Sequence, residues 1–416
     1  MKKPAFQLIA SFIVMMMIGN LQYTWTLFVE PIRDANTEWK LSSIQAAYTI
    51  FILLQAWVQP VSGWFIDRIG QRPFITIAGL LCGIGWSGMG YATSLPMLKI
   101  LYAMAGIGAA FVYSGSIGAA LKWFPNRRGF ASGVIAAGYG GGAALSVWVV
   151  QHLIRDYNYH SAFIVSGLVQ GIVITLIAQV LRHPDPDYSA AKVAVKTSSG
   201  PAPVARRSAE MFTTREMLGT KHFYVLFCMF VAMGIGGVFL TASSGSLARS
   251  WGLADALTLA ASLGLIANAA SRPTWGWISD RVGRENTMAA AFILQAIFLV
   301  GLVTVGKTSG AMFTLALILV YFTWGEIYAL FPSTIADYFG SKYATANNSF
   351  LYSGKGVAAI AGIYLPQLLF ERLGSWVPVL YGSAVLALLS ALTAMVLRNA
   401  PLPTKAVQTK AASIAT

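Results

Sequence analysis

The sequence predicts an all-α polytopic membrane protein, with twelve transmembrane helices in two pseudo-symmetric six-helix bundles. Three observations carry this. Mean hydropathy is +0.63, with 56% hydrophobic and only 11% charged residues, a composition typical of chains that live in lipid. Apolar runs of about 20 residues, the length that crosses a hydrocarbon core, recur twelve times. Motifs of the first six runs return in the second six at a near-constant offset.

The first run starts near Gln7, behind Met1-Lys2-Lys3. This opening imitates a secretory signal, but no small-residue cleavage site follows and the run continues past Trp25 to Glu30, so it reads as a retained span. Runs two to six start near Ile44, Phe74, Met97, Phe130 and Ala162. A polar stretch from about Arg182 to Lys221, rich in Pro, Ser, Ala and basic residues, reads as a linker. The runs resume near His222, Ala256, Thr287, Ala311, Ala344 and Val377. The expected division is 1–181 for the first bundle, 182–221 for the linker, 222–398 for the second bundle and 399–416 for a tail. Abundant alanine and 40 glycines suit close packing between membrane helices. Cys82 and Cys228 both fall inside runs and imply no disulfide framework, and the four histidines lack metal-ligand spacing. No metal and no cofactor are expected.

The formal net charge of +14 could suggest nucleic acid, but its distribution argues against that. With the N-terminus inside, seven basic residues fall on external loops (Arg33, Lys40, Lys99, Arg155, Arg249, Lys307 and Arg372), two fall in the membrane, and 20 of the 29 fall on cytoplasmic segments. This positive-inside bias places both termini in the cytoplasm, in a plasma membrane (the inner membrane of a bacterium). The expected partners are the lipid bilayer and a small anion, the expected state is a monomer, and no nucleic acid is involved.

Two cations stand where a membrane protein tolerates them least. Arg272 lies in the run Ala256 to Ile278 and Lys355 in the run Ala344 to Leu369, while Glu326 is the only acid deep in any run. A cation near a bilayer centre costs roughly 2.5–3.5 kcal/mol on insertion scales and normally has a partner. Here the missing partner is expected to be an anion supplied from outside. Arg272 presents a planar fork that grips a carboxylate through two hydrogen bonds, and Lys355 is a compact point charge. Asn268, one helical turn from Arg272, can orient the guanidinium, bond the ligand or make a plain contact between helices. Trp324 and Tyr328 are four apart and share a face, and Asn348, Tyr352 and Lys355 recur at helical spacing on another. Glu326 lies about 200° around the helix from Trp324, so it is expected to point away from a cavity lined by that pair. Gln22, Tyr23, Gln55 and Gln59 are neutral polar candidates from the first two spans.

The repeat is explicit in two places. Gln59-Pro60 and Gly63-Trp64-Phe65-Ile66-Asp67-Arg68-Ile69-Gly70 return 213 residues later as Arg272-Pro273 and Gly276-Trp277-Ile278-Ser279-Asp280-Arg281-Val282-Gly283. Trp123-Phe124 returns as Tyr338-Phe339 at an offset of 215, which also sets Tyr113 onto Tyr328 and Gly140 onto Lys355. Tyr113 is therefore expected to close the site from the first half. Parallel halves with substrate bound between them at the midplane are a transporter architecture. In the doubled loop the first glycine admits a close helix approach, the aspartate suits a helix N-terminus or a neighbouring arginine, and the second glycine makes the turn.

The loop Gly-x-x-x-Asp-Arg-x-Gly after spans two and eight resembles the signature of the major facilitator superfamily. The resemblance implies the fold of that superfamily and a latch role for Asp67, Arg68, Asp280 and Arg281 in gating. Four segments resemble the oxalate:formate antiporter family over nearly the whole chain. They are Gln22-Tyr23-Thr24-Trp25-Thr26-Leu27, Asn268 with Arg272-Pro273, Trp324-Gly325 with Tyr328-Ala329-Leu330-Phe331-Pro332-Ser333, and the region of Lys355. That resemblance implies exchange of small carboxylates, oxalate against formate as the first expectation, with Arg272 and Lys355 pairing with the substrate. One departure is Glu326, which stands where the resemblance leads us to expect glycine. It keeps open a second reading, a lactate or pyruvate carrier driven by protons through Glu326. Ala103 stands where a superfamily pattern carries an arginine associated with proton coupling, which favours exchange or uniport. A transmembrane enzyme would need an acid/base or metal set at membrane depth, which the sequence lacks, and the latch loops argue against a channel.

Overall fold

The computed structural model describes residues 3–184, 188 and 205–405, and among these every regular element is helical. In chain order the spans are Pro4–Tyr23 continued by Trp25–Ala35, Leu41–Trp57 continued by Gln59–Ile69, Gln71–Met89, Leu95–Trp123, Arg128–Asp156 and Tyr159–Ala178. The second set is Lys221–Ser250, Leu257–Val282, Arg284–Thr304, Gly310–Trp324 continued by Ile327–Phe339, Ala344–Tyr352 continued by Gly354–Leu373, and Val377–Asn399. Each begins within about three residues of its expected start. Among the described residues nine helices are long and apolar enough to cross a membrane, and the second span, bent by 41° at its break, makes ten. The third and eleventh spans complete the twelve. They are less apolar because one opens on Gln71 and Arg72 and the other carries Asn347, Asn348 and Lys355.

Starts are set locally. Ser94, Asn158, Thr220 and Ser309 each accept a backbone N–H of the first turn that follows them, satisfying donors that have no partner inside the helix. Four spans are interrupted, which the apolar runs do not announce: the first at Thr24, the second at Val58, the tenth at Gly325-Glu326 and the eleventh at Ser353. At the second span the cause is Pro60, which has no N–H to continue the ladder.

Within the first half, span one packs on five, two on four, and three on four and six; within the second, seven packs on eleven, eight on ten, and nine on twelve. The halves meet where span five crosses eight and ten, and where span eleven crosses two and four. Side chains such as Leu80, Ile84, Val169, Ile172, Leu388 and Leu392 face outward and exposed, the inverse of a soluble protein and the arrangement lipid requires. The linker expectation falls partly on residues outside those described. Its described end is ordered and includes a short helix, Thr214–Leu218. Tail residues beyond 405 also lie outside the described residues.

Candidate functional site

Three of the four interruptions, at Thr24, Gly325-Glu326 and Ser353, flank residues that line one cavity of about 260 Å³ between the halves. Gln22, Tyr23, Tyr113 and Tyr139 line it from the first half, and Arg272, Trp324, Tyr328, Tyr352 and Lys355 from the second. Its rim, at the end away from the latch loops, includes the exposed Thr26, Gln45, Thr241 and Ile363. The volume lies just below the range of drug-sized pockets, which suits a small ligand.

The two cations enter this cavity in different ways. Arg272 is 2% exposed. Its guanidinium donates to the Ala136 carbonyl of span five at 2.5 Å and to Asn268 Oδ1 at 2.9 Å, and it lies 4.7 Å over the Tyr328 ring. Asn268 in turn donates to the Tyr321 carbonyl at 3.2 Å, which pins the amide so that its oxygen faces the arginine. Lys355 donates to Gln55 Oε1 at 3.0 Å and to Gln22 Oε1 at 3.2 Å, both from the first half. Tyr139 ties these two amides together, donating to Gln22 Oε1 at 2.5 Å and accepting from Gln55 Nε2 at 2.8 Å. Among the described residues neither cation has a carboxylate partner. Buried Arg272 Nε and Trp324 Nε1 have no acceptor there either. A cavity with two cations and spare donors, and no protein anion, is matched by an acceptor-rich ligand of negative charge.

Aromatic rings form the walls. Tyr113 and Tyr352 approach to 4.2 Å between centroids across the halves. Trp324 and Tyr328 meet edge-on at 6.0 Å, as do Tyr23 and Tyr139 at 5.7 Å.

The structure therefore brings together eight of the residues read from the sequence and leaves others behind the wall. Asn268 does not line the cavity; it holds Arg272 from behind. Gln59 is fully buried, donates to the Gln55 carbonyl, and supports Gln55 without reaching the ligand space. Asn348 is buried outside the lining. Glu326 is fully buried, absent from the lining, and makes no ion pair with Lys355; neither carboxylate oxygen has a partner among the described residues. Tyr139 was missed, and so were Trp25, Gln45 and Tyr48, which line the outer part. The available signal for Tyr139 was a lone aromatic hydroxyl inside the glycine run Gly138–Gly142, which resembles an antiporter glycine pattern only weakly and is equally explained by tight packing.

At the opposite end the glycines and aspartates of the two repeated loops take the turn, close-approach and capping geometry their residue types suggest. Gly70 and Gly283 adopt φ of +96° and +99°, a turn that any side chain would strain. A Cβ on Gly276 would collide with the Gly129 carbonyl where spans eight and five cross. Asp280 accepts the N–H groups of Gly129 and Phe130 at 3.0 and 2.9 Å, capping span five of the other half, and pairs with Arg284 at 2.7 Å. Asp67 mirrors it: it accepts the Ala346 N–H of span eleven at 2.8 Å and pairs with Lys122 at 2.5 Å. Arg68 and Arg281 join neither pair; each lies over a tryptophan one turn back, Trp64 at 3.4 Å and Trp277 at 3.6 Å. Asp337, not anticipated from the sequence, is the centre of this end. Fully buried, it receives Arg128 of the first half at 2.6 Å, Arg284 at 2.8 Å and Arg207 at 3.3 Å.

The family model described as Major Facilitator Superfamily matches residues 7–350 and, in a second match, 226–415. The oxalate:formate antiporter of Oxalobacter formigenes is 36% identical over 86% of this chain and 82% of its own length. Apicoplast pyruvate carrier 1 of Toxoplasma gondii is 22% identical over 88% of this chain and 74% of its own. Among solved structures, the proton:xylose symporter XylE superposes with a TM-score of 0.74, covering 94% of each chain at 14% identity.

Proposed function

The chain belongs to the Major Facilitator Superfamily, within it to the family of the oxalate:formate antiporter, and from that premise we propose that it exchanges small carboxylate anions by alternating access. It is a multi-pass membrane transporter. The observation that carries the substrate class is the pair of buried cations, Arg272 and Lys355, on one cavity with only neutral oxygens for partners. Arg272 grips one carboxylate through its fork. Lys355, held by the flexible amides of Gln22 and Gln55, takes a second carboxylate where the substrate has one. Tyr23, Tyr113, Trp324, Tyr328 and Tyr352 enclose the carbon skeleton and exclude water, which strengthens both charge contacts. The latch end faces the cytoplasm in a plasma membrane, as the basic bias directs, with both termini on that side and a monomer as the working unit. Asp67 and Asp280 gate that end by capping helices of the opposite half.

The test is substrate charge. Lys355→Gln should weaken oxalate binding by roughly ten- to a hundred-and-fifty-fold, the equivalent of a charge-assisted hydrogen bond of ~1.5–3 kcal/mol, and formate binding far less. Titration of the purified protein with both anions reads this directly. Equal losses would mean that Lys355 does not meet the second carboxylate.

A second reading, a monocarboxylate carrier driven by protons, is favoured by one observation: Glu326, buried without a partner. Its position behind the wall argues the other way. Glu326→Gln should therefore keep exchange and its pH profile in proteoliposomes. Loss of pH-driven uptake with exchange intact would turn the assignment to proton coupling.

A further inference from the structure

A second crevice, of about 440 Å³, lies at the latch end, apart from the central cavity. Three stretches of chain build it: the end of span two with Asp67 and Arg68, the segment before span seven with Arg215, and the loop into span eleven with Lys342. Arg68, Arg215 and Lys342 are exposed, and among the described residues none of them forms an ion pair. The one acid in the wall, Asp67, is already committed to Lys122 and to the Ala346 N–H. Nearby Glu216 is committed to Thr213 and Lys405. Two of the cations lie over rings, Arg68 at 3.4 Å over Trp64 and Lys342 at 5.3 Å over Tyr343. An arginine stacked on its face keeps its N–H groups directed outward in the plane, ready for an oxyanion.

We propose that this crevice binds a phosphate-type oxyanion and that the bound anion favours the closed latch end. Three cations lining one crevice suit a phosphate monoester-type group, with three acceptor oxygens and a charge near −2. The exposed apolar side chains of Val61, Phe65 and Ile69 on the same helix end place the crevice beside the lipid surface, where the phosphate monoester of phosphatidic acid presents this chemistry. A free phosphate presents it too. Arg68 belongs to the first half and Lys342 to the second, so separating the halves pulls the ligand's contacts apart. An anion that binds only the closed form raises the closed-to-open ratio by 1 + [L]/Kd, about elevenfold at ten times Kd. The binding itself is independent of the substrate proposed for the central cavity; its effect on gating rests on alternating access.

The experiment uses the full chain with Cys228→Ser, Arg127→Cys and Val282→Cys, spin-labelled at the latch end and held in nanodiscs of neutral phosphatidylcholine. Distance distributions are recorded with added inorganic phosphate, and separately with phosphatidic acid in the disc. Either addition should raise the closed fraction, and Arg215→Gln combined with Lys342→Gln should abolish the response. A response to phosphatidic acid alone assigns a lipid headgroup, and a response to inorganic phosphate alone assigns a soluble ligand. No response to either, or an undiminished response in the double variant, overturns the proposal. Thermal stabilisation by oxalate or formate, measured on the same samples, reports the central cavity separately.

Discussion

Asp337→Asn is expected to release the latch end. Asp337 is fully buried at the end of span ten and receives three arginines, of which Arg128 belongs to the opposite half. Removing one member of a buried ion pair costs about 3–5 kcal/mol, because the remaining charge stays desolvated without compensation. The asparagine is close in shape but neutral, so the closed form carries that penalty while an open form lets water reach the arginines. Each 1.36 kcal/mol is a factor of ten, so the closed-to-open ratio should fall by about a hundred- to a few-thousandfold. Spin labels on Arg127→Cys and Val282→Cys should report the longer distance in place of the shorter. Retained oxalate or formate binding by the same sample shows that the chain is folded. A distance distribution that matches the parent protein, in a variant that still binds, would remove Asp337 from the gate.

Asp337 also shows where reading from sequence stops. The span positions were legible because a length of about 20 apolar residues is a one-dimensional signal, and the starts fell where it put them. Arg272 and Lys355 were legible because the desolvation of a cation needs no partner to be noticed. The latch aspartates were legible through the repeated loop. Asp337 looked like an ordinary polar residue at a helix end, and its meaning comes from Arg128 and Arg207, which are distant in the chain. The repeat did hold a clue: the offset of 215 sets Lys122 onto Asp337, so the two halves carry opposite charges at equivalent places, one paired with Asp67 and the other with Arg284. The interruptions at Thr24, Gly325 and Ser353 were not legible, because none requires proline and each depends on the cavity it borders. Spacing put Asn268 beside Arg272 but could not separate ligand contact from support; the contact to the Tyr321 carbonyl decides for support. Gln59 shared the first-half polar face with Gln55, and only the backbone of Gln55 shows that it stands one layer behind.

Labelled substrate should leave loaded proteoliposomes about a thousandfold faster into buffer containing a counter-carboxylate than into substrate-free buffer. The reason lies in what holds the two cations when the cavity is empty. Ala136 and Asn268 solvate Arg272, and Gln22 and Gln55 solvate Lys355, and all four supply neutral oxygens. They replace water but do not neutralise charge. Three of the four belong to the first half, while both cations belong to the second. Reorienting the halves therefore strains these bonds at the moment when the cavity is most occluded and water is scarcest. An uncompensated buried ion costs several kcal/mol. A bound carboxylate moves with the cations and supplies the missing charge throughout, so the loaded carrier crosses with that penalty largely removed. A difference of about 4 kcal/mol in barrier corresponds to a thousandfold in rate. Glu326 does not offset it from within, since it makes no ion pair with either cation. The measurement is made with the membrane potential clamped by ionophore, so that charge build-up cannot imitate obligate exchange. Equal efflux with and without external carboxylate would mean that the empty carrier returns freely, and that the protein itself neutralises Arg272 and Lys355 in the occluded state.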